Sequence, residues 1–268
     1  MTRWEGDEVR VELPRVVEAH IRIVGGEVAV TAAPAGAAKV DAEVVSGPPL
    51  RVELDQGVLT IVHEPPRWLM GGSMRSTAAL VTLTVPAETP LTVRTVSGEV
   101  LVAGLAAGSS INTVSGPITA TGVSGEVTLR TVSGEVQAEG LDGDLTVNTV
   151  SGAVTGSGRV GTLRGRAVSG SLTLDLDAAP DASVSTVSGP FVLRLPADCS
   201  MRLDATTMSG HLDSAFSIGS AGTSGTRRLS GKVGDGSGPR VEVRTLSGDV
   251  AFLRKEMAGA GASEDGDR

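Results

Sequence analysis

The chain has 268 residues and carries 31 acidic against 23 Lys and Arg side chains, a formal net charge of −8. That balance excludes a surface built to hold a phosphate backbone, and with it a nucleic-acid partner. Hydrophobic residues make up 40% of the chain, yet there is no Tyr and the aromatic residues are Phe191, Phe216, Phe252, Trp4 and Trp68, so the core must be aliphatic; the lone Cys199 excludes an intrachain disulfide and a Cys-rich metal site.

In chain order, Met1 to Glu8 is charged and lacks an apolar h-region, and no apolar run approaches membrane-spanning length. The expectation is a soluble, cytoplasmic chain, with peripheral membrane association left open. Alternation then predicts strands at Glu8–Leu13, His20–Val24, Glu27–Ala33, Lys39–Val45, Leu50–Asp55, Val58–Val62 and Ala78–Val85. Between the last two lies a loop bracketed by Pro65, Pro66, Gly71 and Gly72. It carries Trp68, Leu69, Met70 and Met74, read either as a lid over one end of the fold or as a contact for a partner or membrane surface.

The regular part begins at Thr95. Thr-Val-Ser-Gly stands at Thr95–Gly98, Thr113–Gly116, Thr131–Gly134 and Thr149–Gly152 and returns as Ala-Val-Ser-Gly at Ala167–Gly170. The spacing is thus the same four times in succession, one copy every eighteen positions. Each unit divides into two nonapeptides, such as Val132–Gly140 and Leu141–Thr149, with an apolar residue first, Gly third and apolar or small residues fifth and seventh. Apolar residues two apart mean extended backbone with one buried face. That places Val114 and Val132 on the same inner face as Ile118 and Val136. The third-place Gly suits a corner where φ is positive or backbones pack closely.

Like stacks on like only in a solenoid, where residues one coil apart sit about 4.8 Å apart across a parallel ladder. The return along the opposite wall supplies the crossover length that parallel pairing needs, and such connections are right-handed by default. The expected fold is all-β, a right-handed parallel β-solenoid with about 18 residues per coil and irregular wider coils or a strand cap at the N-terminal end. Residues 1–92 form that cap, 93–253 the regular repeats and 254–268 a disordered acidic tail.

Two departures are expected. Gly158–Leu163 slips the rule by one place and leaves Gly165 where a core residue belongs, which predicts a local defect. Ser217–Gly238 is rich in Gly and Ser and reads as a mobile excursion, after which Val241–Thr245 and Ser247–Leu253 close the stack.

The Thr-Val-Ser-Gly recurrences, together with the stretch from Gly238 to Val250, resemble the bacterial "putative adhesin", or toast-rack, family over roughly residues 20–253. The resemblance implies a repetitive β architecture, often near cell-envelope stress systems, and attaches no catalytic residues. The function expected is a non-enzymatic scaffold or protein-interaction module linked to the envelope or its stress response, with a protein partner that is membrane-associated in one version. No cofactor and no metal are expected.

Rival chemistries fare less well. A calcium roll needs a column of Asp ligands, but the place after the corner Gly is occupied by Glu99, Pro117, Glu135, Ala153, Ser171, Pro190 and His211. A polysaccharide-acting β-helix enzyme would have to use Glu135, Glu139, Asp142 and Asp144, the nearest acidic cluster. His20, His63 and His211 share no ligand spacing, and His63 reads as a polar loop entry. Cys199 has no evident base partner. The stacked Thr and Ser hydroxyls raise ice binding, although beside a Gly corner such groups bond turn backbone.

Overall fold

Short runs of alternating apolar and polar residues, broken by Gly, Pro and Ser, leave no segment long enough for a helix. The computed structural model is accordingly all-β, with no helix among the described residues. It describes residues 1–33, 38–64, 77–223 and 226–255. The loop with Trp68, Leu69, Met70 and Met74 lies outside them, as does the tail from 256 onward.

The strands of the first third are β1 (Thr2–Gly6), β2 (Glu8–Leu13), β3 (Glu18–Ile23), β4 (Gly26–Ala33), β5 (Ala38–Ser46), β6 (Leu50–Asp55), β7 (Val58–His63) and β8 (Ala78–Pro86). The regular middle holds β9 (Leu91–Arg94), β10 (Glu99–Ala103), β11 (Ser109–Asn112), β12 (Ile118–Thr121), β13 (Ser124–Thr131), β14 (Val136–Thr149), β15 (Val154–Ala167) and β16 (Leu172–Leu176). The remainder comprises β17 (Asp181–Thr186), β18 (Phe191–Leu195), β19 (Met201–Thr207), β20 (Leu212–Ser214), β21 (Gly219–Thr223), β22 (Thr226–Val233), β23 (Arg240–Thr245) and β24 (Val250–Arg254).

Two parallel ladders form a solenoid-like stack. In the first, Leu91, Ser109, Val127 and Leu145 succeed one another at the constant step of the sequence repeat, and Leu163 follows. In the second, Val100, Ile118, Val136, Val154 and Leu172 do the same. β14 and β15 are long enough to bend round the intervening corner and join both ladders. The inward side chains are almost wholly buried: Val100, Ile118, Val136, Val154, Leu172, Phe191 and Val250 are each at most 1% exposed. Each contributes about 1.5–3 kcal/mol of hydrophobic stabilisation.

The expected defect is present. Between β14 and β15 the register shifts after Ala138 and again after Gly143. Gly165 then sits buried between Val147 and Val184, and a Cβ there would lie 3.1 Å from Leu172 Cδ2. Leucine and valine side chains have closed over the missing side chain.

Chain order and stacking order part company at both ends. β9 and β10 pair with β3 and β4, not with the strands just before them; β7 and β8 lie on the far side of β3 and β4. At the other end β23 lies between β17 and β19, and β24 between β18 and β20. The last strands of the chain therefore fill an inner coil and do not close the stack.

The Ser217–Gly238 stretch is no loose excursion either. β22 runs antiparallel along β19 and β21 runs antiparallel along β22, with Leu229 and Val233 buried. The Gly/Ser composition hid a two-residue alternation that an exposed ladder edge could complete. At the opposite end β1 and β2 lie antiparallel on β6 and β5. Charged side chains such as Arg3, Glu5, Glu8 and Arg10 keep these outer strands from pairing further.

His63 is not a polar loop entry. It is fully buried, with Nε2 2.9 Å from the Pro48 carbonyl and Nδ1 lacking a hydrogen-bond partner among the described residues. Burial lowers its pKa below the ordinary 6.5, with the Pro48 bond opposing. The unfolded chain therefore takes up the proton first as pH falls. The fold keeps this contribution above about pH 6.5 and loses it progressively below that. We expect the melting temperature to fall between about pH 7 and pH 5, and His63→Gln to flatten that part of the curve in a pH series of thermal melts.

Candidate functional site

Each Thr-Val-Ser-Gly makes one corner of its coil, a corner that Ala-Val-Ser-Gly, Thr-Met-Ser-Gly and Thr-Leu-Ser-Gly make elsewhere, and each of its residues has a separate task. The threonine points inward: Thr95, Thr113, Thr131 and Thr149 are 5–6% exposed. Their Oγ1 atoms accept the N–H of the glycine three residues on, at 2.9, 3.0, 2.8 and 2.9 Å. The serine ties coil to coil. Ser133 N and Oγ both donate to the Val114 carbonyl, at 2.9 and 3.4 Å, and Ser151 does the same to Val132. The glycine passes so close to the coil below that a Cβ on Gly134 would lie 2.0 Å from the Gly116 carbonyl oxygen.

Both hydroxyl columns are thus engaged with turn backbone and do not form the free array that ice binding would use. Thr131→Val should strand the buried Gly134 N–H and destabilise by about 1–3 kcal/mol. Thr131→Ser keeps the acceptor and should recover most of that loss in a denaturant titration.

The valine faces solvent, which overturns the reading that put it on the inner face. Val123 and Leu141, first in their nonapeptides, are buried as expected, but Val114 and Val132 are 45% and 44% exposed. The two half-coils are not equivalent. At the Thr corner the buried threonine takes the inward place, so the next residue must point out. Down the stack the outward row runs Val96, Val114, Val132, Val150, Val168, Val187, Leu246 and Met208, all 43–55% exposed. Corner hydrogen bonds from each coil to the one beneath set that order. Over seven ladder steps the row is about 34 Å long.

A second column runs beside it on the first ladder. The residue before each corner threonine is, in stacking order, Arg94, Asn112, Arg130, Asn148, then Arg166 before Ala167, followed by Ser185, Arg244 and Thr206. An open groove lies between the two columns, lined by Asn112, Arg130, Asn148 and Arg166 on one side and Val132, Val150 and Val168 on the other. Arg94, Arg130 and Arg166 are exposed, and none forms an ion pair among the described residues. Arg244 pairs with Glu242.

The residues singled out for chemistry do not converge. Glu135, Glu139, Asp142 and Asp144 are all exposed and do not line the groove. His20 lies beside Glu18 and His211 beside Asp249, and although His20 and His63 stand on neighbouring strands they are three register places apart. Among the described residues no group of three His, Cys, Asp or Glu side chains comes together as a metal site. Cys199 is half-buried against the core, and burial, then the Asp198 charge, raise its pKa, which disfavours the reactive thiolate. The Trp68 loop lies outside the described residues. No helix among the described residues is long and apolar enough to cross a membrane.

The valine edge and its arginine column were the features missed. The available signal was an Arg recurring in every second repeat, at 94, 130 and 166, next to a valine whose partner threonine needed an inward place.

Among solved structures, the chain is similar to one described as a putative cell adhesion protein from Clostridium sporogenes. It is 12% identical with a TM-score of 0.30, over 95% of this chain and 100% of that one; so distant a likeness carries no argument. No curated protein sequence matches the chain. The model of the Toastrack DUF4097 family matches residues 19–252, most of the 268 residues, and the chain belongs to that family.

Proposed function

We propose that this chain is a non-enzymatic interaction module, a stiff stack of β coils that presents its valine edge to another protein. The observation that carries this reading is the unbroken row from Val96 to Met208, eight apolar side chains each 43–55% exposed. Contiguous exposed apolar surface marks an interaction site, and Arg beside it is a residue type enriched at binding hot spots. Stacked main-chain ladders on both walls suit a scaffold that binds without changing shape. In this proposal the stack is a right-handed solenoid whose coils each span one sequence repeat, supported by the parallel register of the two ladders. An envelope-proximal setting is part of the proposal, supported by the family's implied association with envelope stress.

A photo-crosslinking residue tests it. Placed at Val132, it should capture a protein in living cells. Placed at Thr173, exposed on the second ladder, it should capture none. Equal capture at both positions, or none at Val132, would remove the valine edge as the docking surface.

A further inference from the structure

The partner that fits this edge, we infer, is a second copy of the same chain, lying parallel to the first about a two-fold axis that runs along the stack. The inference rests on the docking reading above and names its occupant.

The charges on either side of the valine row point to that occupant. Each corner is preceded by a residue on the first ladder and followed, five positions later, by one on the second. Where the first is Arg, the second is acidic in four coils: Arg22 with Glu27, Arg94 with Glu99, Arg130 with Glu135, and Arg244 with Asp249. Where the first is not Arg, the second carries no acid: Asn112 with Pro117, Asn148 with Ala153, Ser185 with Pro190, and Thr206 with His211. Arg166 with Ser171 is the exception.

Arg244 and Asp249 are already engaged, with Glu242 and His211. The other three pairs straddle the same corner and, among the described residues, form no ion pair with each other or with any other side chain. Each of those coils therefore shows an unmatched positive side and an unmatched negative side.

A two-fold axis along the stack leaves every coil at its own height and exchanges left for right. The Arg94 side of one copy then meets the Glu99 side of the other, and likewise for Arg22 with Glu27 and Arg130 with Glu135. Each of the three coils meets its counterpart twice, so six Arg–Glu contacts flank a seam of valine on valine. Neutral coils meet neutral coils. A two-fold axis across the stack would instead lay the arginine column on itself, and such like-charge juxtaposition is strongly unfavourable. The charge pattern thus selects the parallel arrangement. It also yields the usual anatomy of an interface, an apolar centre with a polar rim.

Analytical ultracentrifugation of the full chain should show a dimer that weakens as salt is raised. Val132→Asp with Val150→Asp should weaken it at least tenfold with an unchanged circular-dichroism spectrum, since both positions are exposed. Arg130→Glu alone should weaken it about tenfold, and Arg130→Glu with Glu135→Arg should restore it. In a Cys199→Ser background, Val96→Cys and Val187→Cys should each cross-link to itself on oxidation. An antiparallel pair would not self-link at both ends.

A chain that stays monomeric at about 100 μM, or a dimer untouched by the valine variants, overturns the inference. If that monomer still captures a different protein through position 132 in cells, the docking reading stands and only its occupant is wrong. If position 132 captures nothing in either setting, both fall.

Discussion

Replacing Gly134 by alanine is expected to cost more than about 4 kcal/mol and to leave little folded protein at physiological temperature. The reason is space, not backbone conformation. Gly134 has no positive φ, but a Cβ on it would lie 2.0 Å from the Gly116 carbonyl oxygen and 2.9 Å from both the Gly116 carbonyl carbon and Thr131 Oγ1. Those atoms are backbone or are held by the Thr131–Gly134 hydrogen bond. The ladders on either wall fix the coil spacing at about 4.8 Å, so the corner cannot open without breaking them. Ordinary overpacking costs about 1–3 kcal/mol; a clash with an immovable backbone lies beyond that range.

Gly122→Ala is the control. Gly122 has a φ of 60°, yet a Cβ there meets nothing within 4 Å, so only the left-handed backbone is strained, at about 1–2 kcal/mol. Thermal melts of the two variants should rank Gly134→Ala far below Gly122→Ala. The reverse order would refute the close-stacked corner.

Removing residues 239–268 should have the second large effect. In a stack laid down in chain order, losing the last coil would move the end inward by one rung. Here β23 and β24 occupy an inner place, so their loss opens a gap between the coil of β17 and β18 and the coil of β19 and β20. Val241, Val243, Val250 and Phe252 are at most 1% exposed, and together they contribute about 6–12 kcal/mol of burial. Phe252 also packs edge-on against Phe191, ring centroids 6.3 Å apart. Against a total stability of about 5–15 kcal/mol, the region from β19 to β22 cannot hold its place alone. Limited proteolysis of the shortened chain should cut throughout residues 199–237 and spare the coils before 195. A shortened chain that resists protease across 199–237 would show that the inner coil is not what supports them.

How much of this was legible beforehand follows from the kind of interaction involved. The threonine, serine and glycine of the corner act within one coil or on the coil next to it. Their recurrence once per coil was enough to predict the parallel ladders and the aliphatic columns, and the one-place slip at Gly158 was enough to predict the register shift after Ala138. The facing of Val132 was not legible by counting in twos, because the corner changes which parity points inward. A buried Thr131, held by its bond to Gly134 N, is what turns the neighbouring valine out.

The sequence by itself determined the building unit: a strand, a corner and an aliphatic inner face, all set by contacts between residues at most about one coil apart. Only the tertiary structure decided where the end coils go. Phe191 pairs with Val250, far along the chain, rather than with a residue of the coil that follows it in sequence. Corners such as Leu246-Ser247-Gly248 and Met208-Ser209-Gly210 present the same chemistry, so either could occupy that rung. The choice falls to which free ladder edges remain to be paired and which side chains fill the space between them, and neither quantity exists until the whole stack has assembled.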